Sequence, residues 1–166
     1  MDGTYLTCIR TGAAGAVAAK YLSREDSQVA GFVGCDAQAR AQLFCLLEVR
    51  HIRKIKIWQF PKDADAPGKQ KINPEILKQS TVVVDDWIQA SHSGEMNVPL
   101  SRKQITKREV HAQMGDIVTG KKRGRISAKE ITLFDATGLA IQDISCADIV
   151  FQSLKSRRGI KSIRLF

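Results

Sequence analysis

The sequence predicts an α/β fold in which helices flank a parallel sheet, and three observations indicate this class. Residues 27–34 form a short apolar run ending in glycine, residues 37–49 have apolar side chains at helical spacing, and residues 54–58 alternate like a strand. With so few residues between them, these segments predict a βαβ unit with parallel strands and a right-handed crossover. Apolar runs at 81–86 and 131–135 predict further buried strands.

A small-residue helix is predicted over residues 11–22, ahead of the βαβ unit. Because small side chains let another backbone approach closely, we expect this helix to pack against the sheet or a neighbouring helix. In the helix that follows, Phe44 and Leu47 are expected on the buried face, and Arg40 and Arg50 are expected to face water.

The second half of the chain begins with a predicted loop at 60–69, which contains two prolines and one glycine. Asn73-Pro74 supplies an N-cap and a first-turn proline for a short helix. Thr106 and Glu109 have the spacing of a capping box, which predicts a helix that runs toward Met114.

The last predicted element is a long helix from Gly138 to about Lys155. Six apolar side chains are expected on or near its buried side: Leu139, Ile141, Ile144, Ala147, Ile149 and Val150. The basic run Lys121–Arg125, which precedes the last strand, predicts an exposed loop.

The chain has a net charge of +9, and most of the excess lies after residue 100, where fourteen basic side chains face six acidic ones. Nucleic acid, anionic lipid and phosphorylated ligands therefore all enter as partners. No aromatic side chain is interleaved with the basic loop, and helix ends favour basic residues anyway. We therefore favour a solvated surface over a nucleic-acid interface.

Several classes of protein are excluded by composition and spacing. No stretch approaches the roughly 20 consecutive apolar residues of a membrane helix. Four cysteines and three histidines are scattered without the spacing of metal ligands. We expect a reduced, cytoplasmic protein with no metal site.

The turn after the first strand has part of the pattern of a dinucleotide-binding site. In such a site the pyrophosphate binds at a helix N-terminus after a glycine-rich turn. Gly34 matches the first glycine of this pattern, and Ala39 matches its last position. Asp36, with its side chain and negative charge, occupies the second glycine position, and Gln59 stands where an acidic residue would bind the ribose. The residues alone leave two alternatives open, a dinucleotide site and an ordinary βα turn.

Two further residues each have a structural and a functional interpretation. Asp65 begins the turn Asp65–Lys69, which is either a solvated β-turn or a general acid or base held beside a cofactor. Arg10 stands just ahead of the predicted first helix, where it is either a surface arginine or a guanidinium that binds a carboxylate.

Taken together, several segments resemble the ornithine cyclodeaminase and mu-crystallin family. The resemblance covers nearly the whole chain in the family's order, and its most specific part is Ile131–Asp143. The other segments are 1–3, 6–14, 34–40, 65–69, 82–86, 92–95 and 124–125.

The resemblance implies a partial Rossmann-type parallel sheet flanked by helices that binds NAD or NADP over residues 27–140 and is shortened after residue 60. Residues 1–26 and 141–166 are then remnants of a separate substrate and dimerisation domain. Family members deaminate and cyclise ornithine, oxidise alanine or reduce cyclic ketimines. This lyase or oxidoreductase chemistry passes a hydride between the nicotinamide and the α-carbon of a small amino or imino acid, and intact relatives are expected to be homodimers.

The resemblance also assigns roles by position. Arg10 would bind the substrate carboxylate, and Asp65 would act in proton transfer or activate the water or amine. The residues implied to contact the cofactor are Thr11, Gly34, Gln38, Ala39, Leu139 and Ile141.

This chain departs from the family at four places. Family members begin upstream of Met1 and have a substrate-binding lysine there, and they have further strands and helices between residues 55–58 and Asp65. They also have glycine at the position of Asp36 and an acidic residue at the position of Gln59. We expect a truncated, internally deleted relative in which the NAD(P)-dependent reaction is compromised. The alternative function is a non-catalytic binding or interaction module.

Overall fold

The computed structural model describes residues 3–58 and 71–155, which form seven α-helices, five strands and one short 3₁₀ turn. In chain order the elements are α1 (Gly3–Leu22), β1 (Val29–Val33), α2 (Ala37–Leu47), β2 (Lys54–Trp58), α3 (Pro74–Gln79), β3 (Ser80–Val84), α4 (Trp87–His92), α5 (Asn97–Ser101), the 3₁₀ turn (Lys107–Glu109), β4 (Val110–Gln113), α6 (Met114–Val118), β5 (Ile131–Asp135) and α7 (Ala140–Lys155).

The strands form two parallel sheets. β1 pairs with β2 from Val29 opposite Lys54 to Val33 opposite Trp58. The second sheet has the order β4-β3-β5, and both of its strand pairs are parallel. This arrangement confirms the predicted α/β class with helices beside parallel sheets.

The core is built around β3, the central strand of the three-stranded sheet. Val82, Val83 and Val84 are fully buried, as a continuous β-branched run is when a parallel strand is covered on both faces. One cluster includes Val82 and Val84 with Leu77, and the other places Val83 against Leu22 of α1.

Helix α1 begins at Gly3, so the predicted start at Thr11 is wrong. Gly12 lies inside the helix and serves packing, because a Cβ there would stand 2.6 Å from the Ala41 carbonyl oxygen of α2. The small residues therefore let α1 pack closely on α2, as expected, and α1 also contacts β5 and α7.

The segment after Thr106 is shorter as a helix than predicted. Its capping box forms, with the Thr106 N–H donating to Glu109 Oε2 at 2.7 Å. The helix nevertheless ends after the single 3₁₀ turn Lys107–Glu109, and residues 110–113 are strand β4. Pairing of β4 with β3 outweighs the local helix signal, which accounts for the wrong prediction.

Several surfaces expected to be buried are open to solvent. In β1, Ala30 is buried but Val33 is 71% exposed, and α2 exposes Phe44 and Leu47. Helix α7 begins at Ala140, two residues after the predicted start at Gly138, ends at Lys155 as predicted, and has no buried residue. Its side chains Ile141, Ile144 and Ile149 are 62%, 63% and 66% exposed, and Leu139, Ala147 and Val150 are half-buried. No element among the described residues covers these faces.

Two arginines expected at the surface are structural. Arg50 donates to the Lys20 carbonyl at 2.7 Å and to Ser23 Oγ at 2.9 Å, which fastens the end of α2 to the end of α1. Arg125 donates from Nε to the Leu22 carbonyl at 2.6 Å and from Nη1 to the Glu130 carbonyl at 2.8 Å. The rest of the basic loop, residues 121–123, is exposed as predicted.

No helix in the described ranges is long and apolar enough to cross a membrane. Within the same ranges, no group of three or more histidine, cysteine, aspartate or glutamate side chains is placed to hold a metal ion.

Candidate functional site

The carboxyl ends of β1, β3 and β5 carry the polar groups of the candidate site. In open parallel α/β sheets, ligands bind in crevices at this edge. Here β1 leads into Gly34 and Asp36, β3 leads into Asp85, and β5 ends at Asp135. Helix α1 passes beside both groups of residues and contributes Arg10.

Asp85 fixes the loop that leads into α7. Its Oδ2 accepts hydrogen bonds from the N–H groups of Thr137 at 2.8 Å and Gly138 at 2.7 Å. Its Oδ1 accepts from the Thr137 hydroxyl at 2.9 Å and from the Asp86 N–H at 2.8 Å. Because a carboxylate with four donors is fully engaged, Asp85 shapes the site rather than offering a free base.

Asp135 plays a similar structural part at the end of β5. It is 7% exposed, and its Oδ2 accepts from the Glu95 N–H at 3.0 Å. Burial raises the Asp135 pKa to about 6, despite the opposing hydrogen bonds from the Glu95 and Met96 N–H groups. Gly94, at φ +78°, leaves no room for a side chain here, since a Cβ would lie 2.7 Å from Asp135 Oδ2.

Arg10 is held against the start of α7. Its Nε donates to Asp143 Oδ1 at 2.9 Å and its Nη1 to Gln142 Oε1 at 3.3 Å, and its side chain is 12% exposed. The Thr7 hydroxyl donates to the same Asp143 oxygen at 3.2 Å. Arg10 is therefore an anchored, largely buried guanidinium, and the interpretation as an ordinary surface arginine is wrong.

One edge of the Arg10 guanidinium faces a glycine. Gly138 has φ +84°, and a Cβ there would lie 3.0 Å from Arg10 Nη1 and 3.3 Å from Nη2. Nη2 makes no hydrogen bond within the described residues, and it is not sealed from solvent. The Gly138 backbone packs closely on this side of Arg10, and the Nη2 group is the part of the guanidinium left available to a carboxylate.

The turn after β1 is closed by the protein's own carboxylate. Gly34 has φ +104°, and its N–H donates to the Trp58 carbonyl at 2.7 Å. Asp36 Oδ1 accepts from the N–H of Gln38 at 3.0 Å and from that of Ala39 at 3.1 Å. These are the helix N-terminal donors that a pyrophosphate would use. As it stands, the turn does not fit a dinucleotide.

Helix α1 joins the two parts of the candidate site. Gln38 Nε2 donates to the Cys8 carbonyl at 3.3 Å, and Gln42 Nε2 donates to the Thr11 carbonyl at 3.2 Å. The start of α2 is therefore tied to the turn of α1 that carries Arg10.

The structure unites some predicted site residues and leaves others apart. Arg10 and Thr11 lie on one turn of α1, and Arg10 contacts the loop that includes Leu139 and leads to Ile141. Gly34, Gln38 and Ala39 stand together at the turn into α2. Asp65 lies outside the described residues.

Sequence reasoning missed the acceptors that hold Arg10, namely Gln142 and Asp143. Both close the most specific segment of the family resemblance, so their position in Ile131–Asp143 was a usable signal. Asp85 was visible as one of two carboxylates ending a buried strand, but its role as an acceptor for the 137–138 loop required the fold.

Comparison with known proteins decides the family. The profile of the ornithine cyclodeaminase/mu-crystallin family matches residues 1–64 and 61–158. The chain belongs to this family. An alanine dehydrogenase of Archaeoglobus fulgidus is 36% identical over 222 residues, which cover all of this chain and 69% of that enzyme. A putative dehydrogenase of Rhizobium meliloti is 30% identical over 91% of this chain and 64% of its own length.

Solved structures of family members have the same fold. An archaeal alanine dehydrogenase dimer with bound NAD has a TM-score of 0.89 at 36% identity, covering 100% of this chain and 69% of its own. The Δ1-pyrroline-2-carboxylate reductase of Thermococcus litoralis, in complex with NADH and L-proline, has a TM-score of 0.85 at 27% identity, covering 99% and 69%. The structural relatives of this chain therefore include NAD-binding members of the family.

The alignments also show where the chain is short. It spans 64% to 69% of the lengths of the curated relatives named above. The match to alanine dehydrogenase runs over 222 residues although this chain has 166, and the two segments matched by the family profile meet at 61–64. Relatives therefore contain sequence, after the position of β2, that has no counterpart here.

Proposed function

We propose that this chain binds the carboxylate of a small amino or imino acid at Arg10 and, by itself, does not bind a nicotinamide dinucleotide. It is then a binding module derived from the family's amino-acid dehydrogenases and imine reductases. In this proposal residues 27–140 correspond to the shortened cofactor domain, and residues 1–26 and 141–166 to parts of the substrate domain.

The observation that carries the proposal is the setting of Arg10. Its Nε and Nη1 are committed to Asp143 and Gln142, which fixes the guanidinium plane. Its Nη2 group makes no hydrogen bond within the described residues and is not sealed from solvent. A guanidinium held in this way loses little conformational freedom when a planar carboxylate binds, and charge-assisted hydrogen bonds favour that partner.

The cofactor half of the proposal rests on Asp36. Its carboxylate already accepts from the N–H groups that start α2, and its charge opposes an incoming phosphate. A ligand would have to displace this cap and tolerate the negative charge close by.

The second candidate is the reaction of the relatives, in which NAD or NADP serves oxidation of an amino acid, reduction of an imino acid, or cyclisation with loss of ammonia. The 36% identity to an alanine dehydrogenase favours it. It requires that a pyrophosphate displace the Asp36 cap at the start of α2, with Asp65 in proton transfer. A homodimer, the state of the archaeal alanine dehydrogenase, belongs to this candidate.

Isothermal titration with L-alanine, L-proline and L-ornithine tests the first proposal. We expect binding of at least one amino acid, weakened about tenfold or more in R10K, because lysine cannot reproduce the bidentate contact. R50K is the matched control, since Arg50 is also a half-buried arginine that fastens α1 but lies outside the site. Equal binding by wild type and R10K would reject the assignment. Oxidation of NADH with an imino acid, or reduction of NAD with an amino acid, would instead support the second candidate.

A further inference from the structure

An open cleft separates the two sheets. β1 is paired on one side with β2, and β5 is paired on one side with β3. The other edge of each pairs with no strand in the part of the chain that the structure describes. The cleft lies between these two edges, beneath α1.

The hydrogen bonds of β1 show which of its backbone groups face the cleft. The Gln28 carbonyl accepts from the Lys54 N–H, and the Gly34 N–H donates to the Trp58 carbonyl, so both point toward β2. Because backbone groups alternate in direction along a strand, those of Val29, Gly31 and Val33 point the opposite way. The β1 edge therefore presents the backbone N–H and C=O groups of these three residues to the cleft.

On the opposite wall, the backbone groups of β5 alternate in the same way. The Asp135 carbonyl accepts from the Asp85 N–H at 3.2 Å, so Asp135 points toward β3. By alternation, the backbone groups of Thr132 and Phe134 point away from β3 and into the cleft. Both residues line its cavity.

The cleft consists of two adjoining cavities of about 500 and about 300 Å³. The larger is bounded by β5 and the smaller by β1, and both are lined by Gly15, Ala19 and Ser23 of α1 and its end. Arg50 and Arg125 stand at its walls, but backbone carbonyls already engage both guanidinium groups. The cleft thus offers strand edges under a small-residue helix rather than free cations for an anionic ligand.

Comparison with the relatives indicates which kind of ligand would occupy the cleft. The whole chain superposes on the archaeal alanine dehydrogenase with a TM-score of 0.89, so the two sheets stand as they do in one complete fold. The sequence that relatives have and this chain lacks follows β2, the last element before the chain crosses to the other sheet. An extended segment with that origin would bridge the two edges.

We propose that the cleft binds an extended polypeptide segment from another chain, namely one strand of the stretch that relatives contain after the position of β2, as an added β-strand between β1 and β5. The resulting order is β2-β1-added segment-β5-β3-β4. Main-chain hydrogen bonds to both edges supply the affinity, as in other cases of strand addition. This inference does not rest on amino-acid binding at Arg10.

The test uses a recombinant fragment of the Archaeoglobus fulgidus alanine dehydrogenase. The fragment comprises the stretch after the position of β2 that aligns to no residue of this chain. Titration should show binding to the wild-type chain. Hydrogen exchange should slow at the amides of Gly31, Val33, Thr132 and Phe134, which point into the cleft. Absence of binding, or binding that leaves these amides unprotected, would overturn the proposal, and this readout needs no variant.

A pair of proline variants provides the second measurement. Gly31→Pro removes an N–H that faces the cleft, and edge strands tolerate proline on their free side. Ile57→Pro is the matched control, because alternation in β2 directs the Ile57 N–H away from β1. We expect about tenfold weaker fragment binding in Gly31→Pro and no change in Ile57→Pro. Equal affinities in both would contradict strand addition at β1. The cleft amides could also be protected from hydrogen exchange without added fragment. If that protection is lost when the chain is diluted, a second copy of the chain occupies the cleft, and the proposal is overturned.

Discussion

Replacement of Asp36 tests why the turn after β1 excludes a pyrophosphate. Asp36→Gly removes the carboxylate that caps α2, whereas Asp36→Asn keeps an oxygen able to accept from Gln38 and Ala39 but removes the charge. Glycine is itself an acceptable N-cap, so Asp36→Gly should lower the free energy of unfolding by only several tenths of a kcal/mol. Asp86→Gly, which removes the corresponding cap of α4, is the matched control for stability.

The N–H groups of Gln38 and Ala39, which lose their acceptor in Asp36→Gly, determine how much pyrophosphate affinity this variant should gain. Two hydrogen bonds to a charged ligand contribute about 1.5–3 kcal/mol each, or about 3–6 kcal/mol together. This range corresponds to dissociation constants from about 6 mM down to about 40 μM. Calorimetric titration with inorganic pyrophosphate should therefore detect weak binding to Asp36→Gly. Wild type, Asp36→Asn and Asp86→Gly should show none.

The pattern across the variants separates two causes. If Asp36→Asn gains as much affinity as Asp36→Gly, charge repulsion rather than occupation of the N–H groups excludes the anion. If wild type already binds pyrophosphate as tightly as Asp36→Gly, the argument that the cap closes this turn is refuted.

Three further predictions follow from the site and its supports. Burial raises the Asp135 pKa from 3.8 to about 6, so the free energy of unfolding should fall by up to about 3 kcal/mol as the pH rises from 4 to 6. Urea titrations should show this fall in wild type and not in Asp135→Asn, and parallel pH profiles would contradict it. Gly138→Ala should lower the free energy of unfolding by about 1–3 kcal/mol and weaken amino-acid binding, because a side chain at φ +84° meets Arg10 Nη1. Unchanged binding would show that Gly138 does not determine the position of the Arg10 guanidinium. Arg125→Met should lower unfolding free energy by about 2 kcal/mol through the orphaned Leu22 and Glu130 carbonyls, whereas the exposed-residue control Lys121→Met should remain within about 0.5 kcal/mol of wild type.

The elements with strong local signals were predictable from sequence. The β-branched run at Val82–Val84 is the buried strand it was expected to be, and Asn73 caps α3 with Pro74 in its first turn. The strand at 54–58 pairs in parallel with β1, as the short βαβ spacing required. These features depend on residues close in sequence, so one sequence suffices to find them.

Burial was predicted less well, because it depends on what covers a face. The apolar spacing of α7 indicates a buried side, yet Ile141, Ile144 and Ile149 are exposed because no described element packs on them. The capping box at Thr106 correctly marked a helical start, but the pairing of β4 with β3 ended that helix after one turn. Neither covering partners nor strand pairing is encoded in local periodicity.

The sequence named candidate residues for the site but not the contacts that hold them. Family resemblance indicated Arg10, and the sequence showed that Asp36 replaces a glycine. That Arg10 is fixed by Asp143, more than a hundred residues away, and that Asp36 bonds the amides beside it, required three-dimensional positions. Those two contacts carry the proposal that the chain binds a carboxylate at Arg10 and does not bind a dinucleotide by itself.

Titration of the unmodified chain with NADH, followed by nicotinamide fluorescence with and without L-proline, tests whether the chain binds an amino acid without a dinucleotide. We expect no saturable change in fluorescence from NADH, whereas calorimetry of L-proline or a related amino acid shows binding that requires Arg10. A saturable NADH signal with a micromolar dissociation constant, accompanied by thermal stabilisation of roughly 2.7 kcal/mol at about 100 times that constant, would contradict it.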